Sequence, residues 1–209
     1  MNANSIVLIG MSNVGKSRRA LLLEGLGFNR VCCDNEIEKK LKPYLLKSGY
    51  QGIDGVAEWL GQPFDERYVT NSALYLQYEI EVMQEIISRL RQGEKLVVDT
   101  TGSVIYIGAD ILSTLKELAT IVLLDAPQSL QDELYQKYLT KPKPVLWGDG
   151  TYAPIEGEEP LITLKRCYPE LLRTRNIKYH NLSHIILDYQ EIRAPGFTAE
   201  NLLQKIESK

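Results

Sequence analysis

At 209 residues, with 44% apolar and 24% charged residues, the chain is long enough to bury a core as one domain and has an ordinary globular composition. A net charge of -3 supplies no overall attraction to a phosphate backbone, which argues against nucleic acid as a partner. No apolar run reaches the roughly 18 residues of a membrane helix, the N-terminus lacks the pattern of a secretion signal, and Cys32, Cys33 and Cys167 form neither a disulfide framework nor a C-x-x-C pair; a reduced, cytoplasmic protein with no membrane partner is expected.

In chain order, residues 5–9 are a short apolar run of strand length that leads into Gly10-Met11-Ser12-Asn13-Val14-Gly15-Lys16-Ser17. Residues 16–26 carry apolar side chains at helical spacing, and Gly27 stops them. Residues 29–33 read as a second strand with Asp34 at its end, residues 36–46 as a short helix, and residues 52–60 as another, broken at Gln62-Pro63. Residues 64–91 carry one long helical pattern ended by Gly93, and Tyr75, Tyr78, Val82, Ile86 and Leu90 recur at spacings of three and four as its buried face. Strands at 95–98 and 120–124 end in Asp99 and Asp125. Helices are expected at 109–118 and 127–139, the second with Pro127 in its first turn. A strand at 184–187 and a helix at 198–206 follow. Strands alternating with helices predict an α/β three-layer sandwich, a parallel sheet with helices on both faces. Residues 1–209 are read as a single domain, with a Pro- and Gly-rich insert at about 140–165 read as a lid over the active site.

The glycine motif carries the strongest chemistry. Gly10 and Gly15 free the backbone through Ser12, Asn13 and Val14 to curl its N–H groups around phosphate, and the helix opening at Lys16 adds its positive end. Lys16 is assigned to the outer phosphates and Ser17 to Mg²⁺, with Arg18 beside them in the nucleotide site. Asp34 either holds or deprotonates an acceptor hydroxyl or caps the next helix. Asp99 closes an apolar strand next to the polar loop Thr100-Thr101-Gly102-Ser103 and is assigned to Mg²⁺, with a loop cap as the alternative. Asp125, followed by Ala126-Pro127, reads as a helix cap. Lys141 and Lys143 in the lid, and Arg173 and Arg175 beyond it, are cations available to the moving phosphoryl group. His180 and His184 lack the intervening acid of a zinc helix and read as ordinary surface or packing residues.

With these residues in place, the chain resembles shikimate kinase, a small P-loop kinase. The opening strand and Gly15-Lys16-Ser17 carry the likeness first. The family's Asp-x-Asp-x-x-Ile-Glu is matched by Cys32-Cys33-Asp34-Asn35-Glu36-Ile37-Glu38, so Asp34 stands for the Asp that contacts shikimate hydroxyls and Cys32 replaces the metal-side Asp. Arg67 resembles the substrate-carboxylate arginine. Thr100-Thr101-Gly102 stands where the family has three glycines, and Asp99 before it is placed to take over the metal role. Lys143-Pro144-Val145-Leu146 resembles the family's lid motif with Lys for Arg, and Arg175 with Tyr179 resembles the Arg-x-x-x-Tyr whose arginine contacts the carboxylate. The resemblance implies a sheet of order 2-3-1-4-5, the cofactors ATP and Mg²⁺, and transfer of the γ-phosphoryl group to a hydroxyl of a small anionic metabolite, shikimate first. Lys16, Asp34 and Lys143 would carry catalysis. Asp34, Arg67, Thr100, Thr101, Gly102 and Arg175 would hold the acceptor, in a monomer or a dimer. The alternatives are a kinase of this fold with another acceptor, or a nucleotide-binding regulatory protein without catalysis.

Overall fold

Ile6, Val7, Leu8 and Ile9 are apolar toward both faces of the backbone, which suits a strand covered on both sides. In the computed structural model of the chain, which describes residues 5–140 and 143–208, they form β1 (Ile6–Ile9), the central strand of a five-stranded parallel sheet. With β2 (Asn29–Cys32), β3 (Leu96–Asp99), β4 (Thr120–Asp125) and β5 (Ile185–Asp188), the order is β2-β3-β1-β4-β5, as expected. Parallel neighbours require crossovers, and helices supply them. They are α1 (Lys16–Glu24), α2 (Cys33–Lys47), α3 (Gly52–Leu60), α4 (Tyr68–Arg91), α5 (Ala109–Leu118), α6 (Gln131–Thr140), α7 (Pro160–Leu182) and, after the last strand, α8 (Ala199–Glu207). No helix among the described residues is long and apolar enough to cross a membrane.

Several elements begin elsewhere than the sequence pattern predicts, each for a local reason. Helix α2 starts at Cys33 rather than at residue 36, so Asp34 lies in its first turn, where an acid faces the positive end of the helix dipole. Helix α4 starts at Tyr68 rather than 64, because a turn intervenes in which the Asp65 carboxylate accepts the Gln62 N–H at 2.7 Å. Pro127 precedes a short 3-10 turn, Gln128–Leu130, instead of opening the helix itself. Residues 160–165 of the expected lid are already helix, with Pro160 in the first turn of α7.

The insert is tied to the body. Val145, Leu146 and Trp147 are buried. The Tyr68 hydroxyl donates to Val145 O at 3.1 Å and accepts the Trp147 N–H at 2.6 Å. The Trp147 indole N–H donates to the Tyr138 hydroxyl at 3.3 Å, and the Tyr138 ring stacks on Tyr168 with centroids 5.4 Å apart. Lys141 lies outside the described residues.

The buried face of α4 contains Tyr75, Val82, Ile86 and Leu90, as the spacing predicts, but Tyr78 is half-buried and Glu79 takes the inward position. A helix stripe shifts by one residue at little cost where a polar partner waits inside, and Glu79 finds two.

Candidate active site

The loop after β1 bends back across the mouth of the sheet. At Gly10, φ is +137° and a Cβ would stand 2.7 Å from Leu124 O, so a side chain there would collide with backbone. Asn13 (φ +68°) and Gly15 (φ +101°) take left-handed conformations that let the loop close onto the first turn of α1. Val14 anchors the loop with a fully buried side chain. Its place in the sequence contributes backbone, not a side chain, to the site.

Lys16 curls under this loop. It is buried, and its ammonium donates to Gly10 O at 2.9 Å and Met11 O at 3.0 Å. Burial holds its pKa below the ordinary lysine value, against the pull of Asp99 and Asp34. Arg18 lies on the exposed side of α1 and does not line the cavity; the buried arginine of that turn is Arg19, whose guanidinium sits under Gly15 and donates to Ile192 O.

Ser12, Asn13, Gly15, Lys16, Ser17, Asp34, Asp99, Thr100, Thr101, Gly102, Lys143 and Pro144 line one cavity of about 260 Å³. Strand pairing explains part of this convergence: Cys32 and Asp99 are register partners across β2 and β3, so the first turn of α2 and the end of β3 emerge side by side next to β1. The Asp34 carboxyl is pushed up to about 6 by burial, opposed by Lys16 and by Lys143, and raised further by Asp99. Lys143 sits at the opposite rim, 3.9 Å from the Asp54 carboxylate.

Ser17 and Asp99 reach this cavity from different elements. Among the described residues no group of three or more His, Cys, Asp or Glu side chains gathers as a metal site. A pair of oxygen ligands suits Mg²⁺, which keeps several waters and is completed by substrate phosphates rather than by a protein cage. The residues present therefore fit a magnesium–nucleotide complex, which Ser17 and Asp99 could hold from the protein side.

The wall behind the cavity was not anticipated. Glu79 is buried, and its two carboxylate oxygens accept the hydroxyls of Thr101 and Ser103, the latter at 2.6 Å. Burial pushes its pKa up to about 7, against those two hydrogen bonds. An acid set four residues after Tyr75 and three before Val82, within an apolar stripe, was the available sign. Thr100 is committed inward too, donating to Leu8 O at 2.7 Å.

Neither expected clamp arginine lines the cavity. Arg67 is exposed at the start of α4, donating to Glu58 O at 2.9 Å and to the Tyr50 hydroxyl at 3.5 Å. Arg175 is buried behind Gly102, where it donates to Leu146 O at 2.7 Å; a Cβ on Gly102 would lie 3.0 Å from its guanidinium. Tyr179 donates to Gly102 O at 2.5 Å, so the pair from α7 braces the loop after β3. His184 accepts the Ile121 N–H at 3.0 Å through Nδ1, a packing role, whereas Asp125 meets His180 Nε2 at 3.3 Å rather than capping a helix.

No protein-family model matches the chain, and no curated protein sequence does. Among solved structures it is similar to the shikimate kinase of Acinetobacter baumannii in complex with shikimate, at 24% identity and TM-score 0.63 over 98% of this chain and 93% of that one. It is similar to the shikimate kinase of Bacteroides thetaiotaomicron, at 17% identity and TM-score 0.63 over 98% of each chain. It is also similar to a dephospho-CoA kinase of Campylobacter jejuni, at 11% identity and TM-score 0.54 over 98% of each chain. Likeness at these identities is a likeness of fold, and the fold of this chain is that of the P-loop kinases.

Proposed function

We propose that this protein transfers the γ-phosphoryl group of ATP to a hydroxyl of a small metabolite. The observation that carries the reading is the meeting of Lys16, Ser17, Asp34, Asp99 and Lys143 around one cavity. The loop N–H groups and Lys16 neutralise phosphate charge, and Ser17 and Asp99 would hold the magnesium–nucleotide complex, whose Mg²⁺ would supply further charge neutralisation on the phosphates. Asp34 faces the same space from α2 and is the base that holds or takes the proton of the acceptor hydroxyl. A carboxyl with a pKa of about 6 is ionised at neutral pH and binds a proton more readily than an ordinary aspartate. Lys143 approaches from the insert and supplies positive charge near the transferring group.

The cavity is small for a ligand site, which favours a compact acceptor over a polymer. The resemblance to shikimate kinase nominates shikimate as the first acceptor to try. The test is ADP release with MgATP, coupled to NADH oxidation, across shikimate, other hydroxy acids, polyols and nucleosides. Acceptor-dependent ADP release supports the reading. MgATP binding with no acceleration by any acceptor rejects phosphoryl transfer and leaves a nucleotide-binding protein. No MgATP binding rejects the phosphate site as well.

A further inference from the structure

Arg19, in the first turn of α1, has no part in the chemistry above. Only 3% of it is exposed, and its Nε has no hydrogen-bond partner among the described residues. Its guanidinium lies under Gly15, with one terminal nitrogen 2.9 Å from where a Gly15 Cβ would stand. Arg193, from the 3-10 turn after β5, brings a nitrogen to 4.0 Å from the same point. The Arg193 guanidinium lies over the Tyr189 ring, 4.3 Å from its centroid, and Arg19 donates to the carbonyl of the neighbouring Ile192. Arg18 adds a third guanidinium. Burial first, then the charges of Arg18 and Arg193, hold the Arg19 pKa below the ordinary arginine value. The acids nearby are engaged elsewhere: Glu191 pairs with Lys205, Glu133 pairs with Lys137 at 2.5 Å, and Asp188 accepts the N–H groups of Gln190 and Glu191. Among the described residues, the arginines paired with carboxylates are Arg30, Arg89, Arg166 and Arg173, none of this cluster.

We propose that Arg18 and Arg193 seat the α-phosphate of the nucleotide, on the side of the phosphate loop away from the acceptor, and that Arg19 is the positioning residue that holds Arg193 there. This rests on the proposed function, whose nucleotide it follows beyond the cavity. The cavity is lined from the ends of β1 and β3 and the first turn of α2, whereas Arg193 follows β5 at the other edge of the sheet. A polyphosphate laid along the loop with its γ end toward Asp34 and Lys143 runs its α end toward the arginines. Three like charges crowded against backbone repel one another, and a phosphate among them removes that cost. Arg18 and Arg193 are exposed, so their donors are open to a ligand, and the arginine fork matches phosphate oxygens. Gly15 makes room for the arrangement, since a side chain there would collide with the Arg19 guanidinium.

The test is calorimetric titration of MgATP and MgADP into the wild type, Arg193→Ala and Arg18→Ala, at low and high salt. Both nucleotides carry the same α-phosphate, so each variant is expected to weaken both by the same factor, at least about tenfold at low salt. The factor is expected to shrink at high salt, where exposed charges are screened. A smaller loss, a loss that salt does not reduce, or a loss for MgATP alone overturns the inference while leaving the proposed function standing. A wild type that binds neither nucleotide overturns the proposed function itself, and this inference with it. Arg19→Met removes the charge and the donor to Ile192 while keeping a long side chain under Gly15. Combined with Arg193→Ala, its loss of affinity is expected to fall at least about threefold short of the product of the two single losses, because Arg19 acts through Arg193. Single losses that multiply in full overturn the positioning role of Arg19. The two exposed variants decide the α-phosphate seat even where Arg19→Met fails to fold.

Discussion

The two halves of the cavity are built by different means. The phosphate half is a single stretch of chain, residues 10–17, whose binding groups are mostly backbone N–H, shaped by Gly10, Asn13 and Gly15 at positive φ. The acceptor half is assembled from side chains of α2, α4, the loop after β3 and the insert, held by contacts such as Thr101 with Glu79 and Arg175 with Leu146. Backbone architecture tolerates little change, and inward N–H groups of this kind suit one class of ligand, a polyphosphate. A side-chain wall can be altered one residue at a time, and so can its ligand. The difference teaches that nucleotide use and acceptor choice are separable properties of this fold.

If that division is right, damage to the two halves reads out differently. The largest effect belongs to the phosphate half: Lys16→Ala is expected to lower turnover by about 10³-fold, since it removes the cation closest to the transferring charge, and ADP-release kinetics with nucleotide titration check it. In the acceptor half, Glu79 should govern stability against pH. Its folded pKa is raised to about 7, so the folded state keeps a proton that the unfolded chain has already lost, and the stabilisation present at low pH disappears as pH rises from about 4.5 to about 7. The loss is on the order of 3 kcal/mol, and urea unfolding across that range should show a shallower slope for Glu79→Gln.

Asp34→Asn sharpens the division further. Turnover should fall by about 10²-fold while MgATP affinity stays near wild type; loss of affinity alone would move Asp34 to the phosphate half. In the wild type, kcat/KM should climb with pH to a plateau above about 6, because the carboxyl must be ionised to accept the hydroxyl proton, and the climb should vanish in Asp34→Asn. The smallest effect is Tyr68→Phe. It leaves the buried Trp147 N–H and Val145 O without their shared partner, with an expected cost of about 1–2 kcal/mol in denaturant unfolding.

The alternation of short apolar strands with amphipathic helices was enough to specify a parallel α/β sheet, because strands buried on both faces and helices with one apolar stripe have few ways to pack. The phosphate loop was equally legible, since its function depends on glycines at fixed separation within eight residues of a strand, all local information. That Asp34 and Asp99 line one cavity was legible for the same reason: each closes or follows a strand, and strand ends share one edge of a parallel sheet.

Glu79, Arg67 and Arg175 show where local pattern stops. The helical stripe of α4 pointed to Tyr78, but the inward residue is Glu79, because hydroxyls on a loop more than twenty residues later satisfy its carboxylate. The arginines matched motif positions, yet their hydrogen bonds go to Glu58, Tyr50 and Leu146, partners that only the folded chain brings within reach. By itself the sequence determined the sheet and the tight glycine loop after its first strand, which are written in backbone periodicity and glycine spacing. Tertiary structure alone decided which charges face the acceptor, because a side chain's direction and its free protons depend on neighbours that are distant in sequence.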